Sequence, residues 1–161
     1  MEFGAPWGIT VKLVTMLVTI LLIVIPIIGL TANSAGGGIW FFIMLAAPIF
    51  ILIGAAIFMI RGYELSGDQL FIRRLGWRTV LSLKDLRSAE SDPQAMSRSF
   101  RLFGNHGLFC FAGLFTNKKL GRYRAYATDP SLAVVMRFPD KVVVVTPDRP
   151  DRFVAHVNCK K

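Results

Sequence analysis

Two uncharged apolar runs near the start of the chain constrain it more than any other feature. Leu13–Leu30 and Ile39–Ile60 are 18 and 22 residues long and contain no Asp, Glu, Lys, Arg or His. A bilayer core of ~30 Å needs ~20 residues of helix at ~1.5 Å each, so each run is long enough to span. The stretch Thr31-Ala32-Asn33-Ser34-Ala35-Gly36-Gly37-Gly38 between them is short and rich in helix breakers. It reads as a tight turn between two antiparallel helices. The rival reading is a cleaved signal peptide, with Ala32-Asn33-Ser34 as the cleavage site. Signal cores run to ~7–15 residues behind a basic leader, whereas this run is longer and has Lys12 alone before it. The hairpin is the preferred reading.

Charge divides the chain at the same place. Glu2 and Lys12 are the only charged residues among the first sixty, so the net charge of +9 falls on the remainder. A hydrophobic content of 53% excludes a disordered chain, which is too poor in apolar residues to bury a core. The sequence therefore predicts an anchor over residues 1–60, with helices at about 11–30 and 39–60, and a basic domain over 61–161. The turn has no Lys or Arg, while Lys12 precedes the first helix and Arg61, Arg73, Arg74 and Arg78 follow the second. Positive charge stays in the cytoplasm, which predicts a multi-pass protein with both termini cytoplasmic. No ionisable residue interrupts the spans, which argues against a transporter or channel. Pro26 and Pro48 are candidate kinks. Thr15, Thr19, Gly54 and Ala55 are candidates for close helix packing, and Trp7, Trp40 and Tyr63 for the aromatic belt at the membrane surface.

The basic half has the pattern of short strands. Tyr63–Leu65 and Gln69–Leu75 flank a turn at Ser66-Gly67-Asp68, and Trp77–Leu83 follows Gly76. Leu83-Lys84-Asp85-Leu86 reads as a bend and Ser88–Glu90 as a short strand. Phe100–Phe103, Leu108–Leu114, Arg122–Thr128, Ala133–Phe138 and Val142–Thr146 follow, separated by Gly and Pro. Near the end the period changes. Asp148 is a candidate cap, Pro150 falls in the first turn, and Phe153, Val154 and Val157 form one apolar stripe. The prediction is six to eight antiparallel strands closed at one end by a short amphipathic helix.

These segments resemble the bacterial pleckstrin-homology-like domains. The resemblance rests on Tyr63-Glu64-Leu65, Leu70-Phe71-Ile72-Arg73-Arg74, Leu83-Lys84-Asp85-Leu86, Phe103-Gly104-Asn105-His106-Gly107, Tyr126-Ala127-Thr128-Asp129 and the closing Val144–Val154. It covers about residues 61–158. It implies a PH-like split barrel of two antiparallel sheets with a C-terminal helix, in a family whose members often carry one or two membrane helices; with the hairpin read above, the expected fold is a membrane helical hairpin followed by a mainly β domain, in the bacterial inner (cytoplasmic) membrane. It brings no catalytic residues. Eukaryotic relatives often hold phosphoinositides through a basic first loop; here that loop is Ser66-Gly67-Asp68 and has no basic residue.

No cofactor, metal or catalytic set is expected. His106 and His156 lack a neighbouring His or Cys pair, and zinc needs about four ligands at characteristic spacing. Cys110, between Phe109 and Phe111, reads as a buried thiol. Ser97 and Ser99 have no tied base, and the domain has two glutamates, Glu64 and Glu90. Candidate anionic-surface contacts form two clusters. Arg73, Arg74 and Arg78 make one; Lys118, Lys119, Arg122 and Arg124 make the other. A domain pinned to a bilayer has the anionic leaflet closer than any nucleic acid, and each Lys or Arg held there contributes ~1 kcal/mol. The expectation is a non-enzymatic membrane protein that recruits or scaffolds a protein partner. The alternatives are a sensor of anionic lipid headgroups and an accessory subunit of a larger membrane complex.

Overall fold

The computed structural model describes residues 1–32 and 39–159. The chain opens with a three-residue strand, β1 (Glu2–Gly4), followed by helices α1 (Ile9–Ala32) and α2 (Ile39–Ile57). At ~1.5 Å per residue α1 is ~36 Å long and α2 ~28 Å. Ile9–Gly29 is long and apolar enough to cross a membrane, and Leu45–Ile57 is a shorter apolar helix among the described residues. The two helices touch, and Leu21, Ile25 and Pro26 face Ala47, Pro48 and Ile51 around a small apolar cavity. Of the expected turn, residues 33–38 lie outside the described residues, as does the side chain of Trp40.

The second helix stops three residues earlier than expected, and its end has a physical cause. The last turn tightens, with Phe58 N donating to Ala55 O and Met59 N to Ala56 O. Ile60 is then taken into a sheet. The strands are β2 (Ile60–Ser66), β3 (Gln69–Arg74), β4 (Arg78–Ser82), β5 (Ser88–Ser91), β6 (Phe100–His106), β7 (Phe111–Asn117), β8 (Gly121–Ala127), β9 (Val134–Arg137) and β10 (Val142–Val145). Helix α3 (Pro150–Asn158) ends the chain.

One sheet has the order β1-β2-β3-β4 and the other β5-β9-β10-β8-β7-β6. All pairs are antiparallel except β8 with β10. That pair is parallel because a 3-10 turn at Pro130–Leu132 and the β9–β10 hairpin stand between the two strands. The sequence pattern predicts only antiparallel pairs, since alternation records which face a residue occupies and not the direction of its neighbour.

The inner faces share one core that includes Ile60, Leu70, Ile72, Met136, Val143 and Val145. Tyr63, expected at the membrane surface, is fully buried in this core. Its hydroxyl donates to Tyr126 O at 2.6 Å and accepts from Thr146 N at 3.1 Å, which ties the two sheets together. A second core lies on the far face of the larger sheet, where Phe111, Phe115, Tyr123 and Val144 pack with Val11 of α1. Thr15, also on α1, does not serve a helix–helix contact. Its Oγ1 accepts from Phe109 N at 3.0 Å, so the first two turns of α1 are part of the barrel's packing.

Helix α3 closes the barrel through Phe153 and Val157, both buried. The Phe153 ring meets Phe3 of β1 edge-on, with centroids 5.2 Å apart. Asp148 is not the cap. Arg149 occupies that position without a side-chain bond, and Asp148 N is already committed to Gly4 O at 3.0 Å.

Candidate docking surface

The seven basic residues singled out in the sequence fall in three environments. Arg73 on β3 pairs with Glu2 at 2.8 Å, and Arg78, its cross-strand neighbour on β4, lies 3.5 Å from Glu64. Arg73 is half-buried and Arg78 exposed. Arg74 is buried and does not belong to a basic surface. Leu70, Ile72 and Arg74 alternate onto the inner face of β3, so its side chain points inward. The guanidinium donates to Phe58 O at 2.9 Å and Thr79 Oγ1 at 3.2 Å, and lies 4.6 Å from the centre of the Trp77 ring. Burial lowers its pKa from the ordinary value, opposed by nearby Cys110, Tyr126 and Tyr63. This arginine therefore clasps the end of α2 to the barrel, where the partial negative charge of a helix C-terminus favours a cation. Trp77 Nε1 adds a bond to Ile57 O at 3.2 Å.

The other four residues remain together. Lys118 and Lys119 form the β7–β8 turn, and Arg122 and Arg124 are exposed on β8. Lys119 pairs with Asp92. Among the described residues, Lys118, Arg122 and Arg124 have no carboxylate within 4.0 Å. The turn is built by Asn117, whose Oδ1 accepts from Leu120 N at 2.7 Å and Lys119 N at 3.1 Å. Its Nδ2 donates to Ala95 O at 2.7 Å and Ser99 Oγ at 2.9 Å, which pins residues 95–99 beside the turn.

A groove opens between these two segments, lined by Gln94, Arg98, Phe100, Asn117, Lys118 and Lys119. Arg98 has φ of +50°, an arrangement that costs an L-residue roughly 1–2 kcal/mol. The two Asn117 bonds on either side hold it there. Phe100 is 74% exposed on β6, an edge strand that pairs with β7 alone among the described residues. The sequence reading did not identify Arg98, Phe100 or Asn117 as site residues. Asn directly before Lys-Lys was a turn signal; nothing in the local pattern marked Arg98.

The first loop, at the β2–β3 turn, borders a cavity of about 200 Å³ that Asp68, Lys84 and His156 share with apolar residues. Its charge is mixed. Cys110 is buried, with its Sγ donating to Phe58 O at 3.3 Å, and burial pushes its pKa up to about 11. Tyr63 is pushed up to about 12, also by burial. At neutral pH both therefore hold their protons.

Residues 61–161 match the family model of the bacterial PH domain. No curated protein and no solved structure matches the chain. The two sheets, the terminal helix and a matched region of well over half the chain lead to one assignment: the chain belongs to the bacterial PH domain family, here with an apolar helix near its N-terminus that is long enough to cross a membrane.

Proposed function

We propose that this protein is a non-catalytic, two-pass membrane protein that holds a PH-like domain at the cytoplasmic face of the inner membrane and recruits a protein partner there. The support for two passes is the pairing of β1 with β2, Phe3 opposite Tyr63. These strands flank the helix pair and share one sheet, so both ends of the pair lie on one side of a bilayer. Two crossings fit that pairing. Lys12 and Arg61 stand at those ends, and positive charge favours the cytoplasm.

The observation that carries recruitment is the groove beside the β7–β8 turn. It places two cations, Arg98 and Lys118, next to an exposed aromatic on a strand with an open hydrogen-bonding edge. A chain segment that adds as a strand to β6 gains backbone bonds along the edge. An acidic residue with an apolar neighbour would meet the cations and Phe100 together. PH domains are generally non-catalytic, in keeping with this reading.

The test is site-specific photocrosslinking in cells, with benzoylphenylalanine at Phe100 and, as control, at Val80 on the opposite edge strand β4. A discrete protein adduct from position 100, lost in Arg98→Glu/Lys118→Glu and absent from position 80, is the expected result. Adducts that survive the charge reversal, or lipid adducts alone, would overturn the reading.

A further inference from the structure

We infer that α2 and the β6–β7 hairpin form a seat for one anionic glycerophospholipid, a reading that rests on the membrane anchoring proposed above. The seat is a second groove, about 540 Å³ in volume, distinct from the one beside the β7–β8 turn. One wall is Gly54 and Ala55 of α2 with Phe58 just beyond its end. The floor is backbone. Gly104 and Gly113 face each other across β6 and β7, with φ of +111° and +148°. A Cβ on Gly104 would lie 2.2 Å from Ala112 O, and one on Gly113 2.1 Å from Phe103 O. The two strands thus approach each other closely at a point where neither has a side chain.

Three observations identify the occupant. Gly54 and Ala55 belong to the apolar helix, so the groove is continuous with whatever surrounds that helix. Phe103 on the groove's rim is 80% exposed, and a bare phenylalanine beside an apolar helix is at home in hydrocarbon and not in water. Arg101 stands at the same rim. Its Nη1 donates to Gly104 O at 3.1 Å, and no carboxylate lies within 4.0 Å among the described residues. That bond anchors the guanidinium at the groove and leaves further N–H donors in the fork geometry that suits a phosphate. Arg74, deeper in, donates from Nη1 to Phe58 O and from Nε to Thr79 Oγ1, and adds positive charge at the inner end of the groove. An apolar trough opening to the bilayer under a single fixed cation fits an acyl chain below a phosphate.

The experiment uses the full chain in bilayers containing either phosphatidylglycerol or phosphatidylcholine with a diazirine on one acyl chain, followed by irradiation and peptide mapping. Adducts of the anionic probe within residues 101–113 are expected, together with adducts on α1. A Cβ at Gly54 meets nothing within 4 Å, so Gly54→Leu closes the trough without disturbing the fold. It should reduce adducts in 101–113 roughly tenfold, the scale of discrimination in an apolar pocket, and leave those on α1 unchanged. Arg101→Gln should remove the preference for phosphatidylglycerol. Labelling of α1 without labelling of 101–113 would overturn the seat and leave the anchor standing, as would labelling that Gly54→Leu does not reduce. Equal labelling by the two probes would overturn the phosphate role of Arg101. Absence of α1 adducts, with the protein extracted by alkaline carbonate, would overturn the anchor and the seat together.

Discussion

Replacing Arg74 by methionine tests whether this residue is a clasp or a surface cation. Methionine keeps most of the length and the apolar stem. It removes the charged bond to Phe58 O, the bond to Thr79 Oγ1 and the stacking on Trp77. Both bonds come from the charged guanidinium, and a hydrogen bond involving a charged group contributes ~1.5–3 kcal/mol; a partly desolvated cation–π contact adds ~0.5–2. Two effects oppose the loss. The variant no longer buries a charge, and Phe58 O still accepts from Cys110 Sγ. The net destabilisation is about 2–3 kcal/mol, which lowers the melting temperature by roughly 10 °C for a domain of about a hundred residues. Arg74→Lys keeps the charge without the fork and should fall between the two. The assay is a thermal scan of the full chain in mild detergent, read by tryptophan emission. A midpoint for Arg74→Met within about 2 °C of the unmodified protein, a shift worth well under 1 kcal/mol, would refute the clasp.

Other outcomes follow from the same coordinates. Phe153→Ala removes a ring that is wholly buried against Phe3 and should cost ~3–5 kcal/mol by chemical denaturation, a severe fraction of a total near ~5–15 kcal/mol. Alkaline pH should destabilise the protein. Cys110 and Tyr63 are raised to about 11 and about 12 from 9.0 and 10.0, so above pH 9.0 the unfolded chain releases protons that the folded chain retains. Stability is then complete below pH 9 and declines as pH rises through the two folded values, by ~1.4 kcal/mol per shifted unit at most. Cys110→Ala should remove the earlier part of that decline in denaturation midpoints measured from pH 8 to 11. Cys159 is exposed and Cys110 buried, so a membrane-impermeant thiol reagent reads Cys159. It should react only after lysis; labelling in intact spheroplasts would reverse the proposed orientation.

Much of the barrel was legible because its signals are local. The turn at Gly67-Asp68, the β9–β10 hairpin and the Phe153–Val157 stripe each follow from residues within one or two turns of one another. The inward direction of Arg74 was also present in the sequence, since Leu70 and Ile72 fix the phase of its strand; charge was read before phase. Strand β1 was not legible. Three residues with one apolar side chain have no period to detect, and its partner Tyr63 is on the far side of both helices. The same distance hid the docking of Val11 and Thr15 on the barrel. In the β6–β7 hairpin the expected glycine turn begins later, because Gly104-Asn105-His106 continues β6 and only Gly107 leaves it. The peptide groove escaped for a similar reason: Asn117 joins Ala95 and Ser99 across some twenty positions.

The pairing of residue 3 with residue 63 sets an order on biogenesis. Ribosomes add ~5–20 residues per second, so β1 waits about 3–12 s for its partner strand to be made. The stretch made during that interval is almost entirely the apolar helix pair. Until β1 closes on β2, Phe3 is missing from beneath Phe153 and the Tyr63 edge is open. On the two-pass proposal, barrel completion reports that the helix pair has returned the chain to its starting side. On the same proposal, a molecule that inserts only one helix leaves β1 and β2 on opposite sides of the bilayer and cannot finish its sheet.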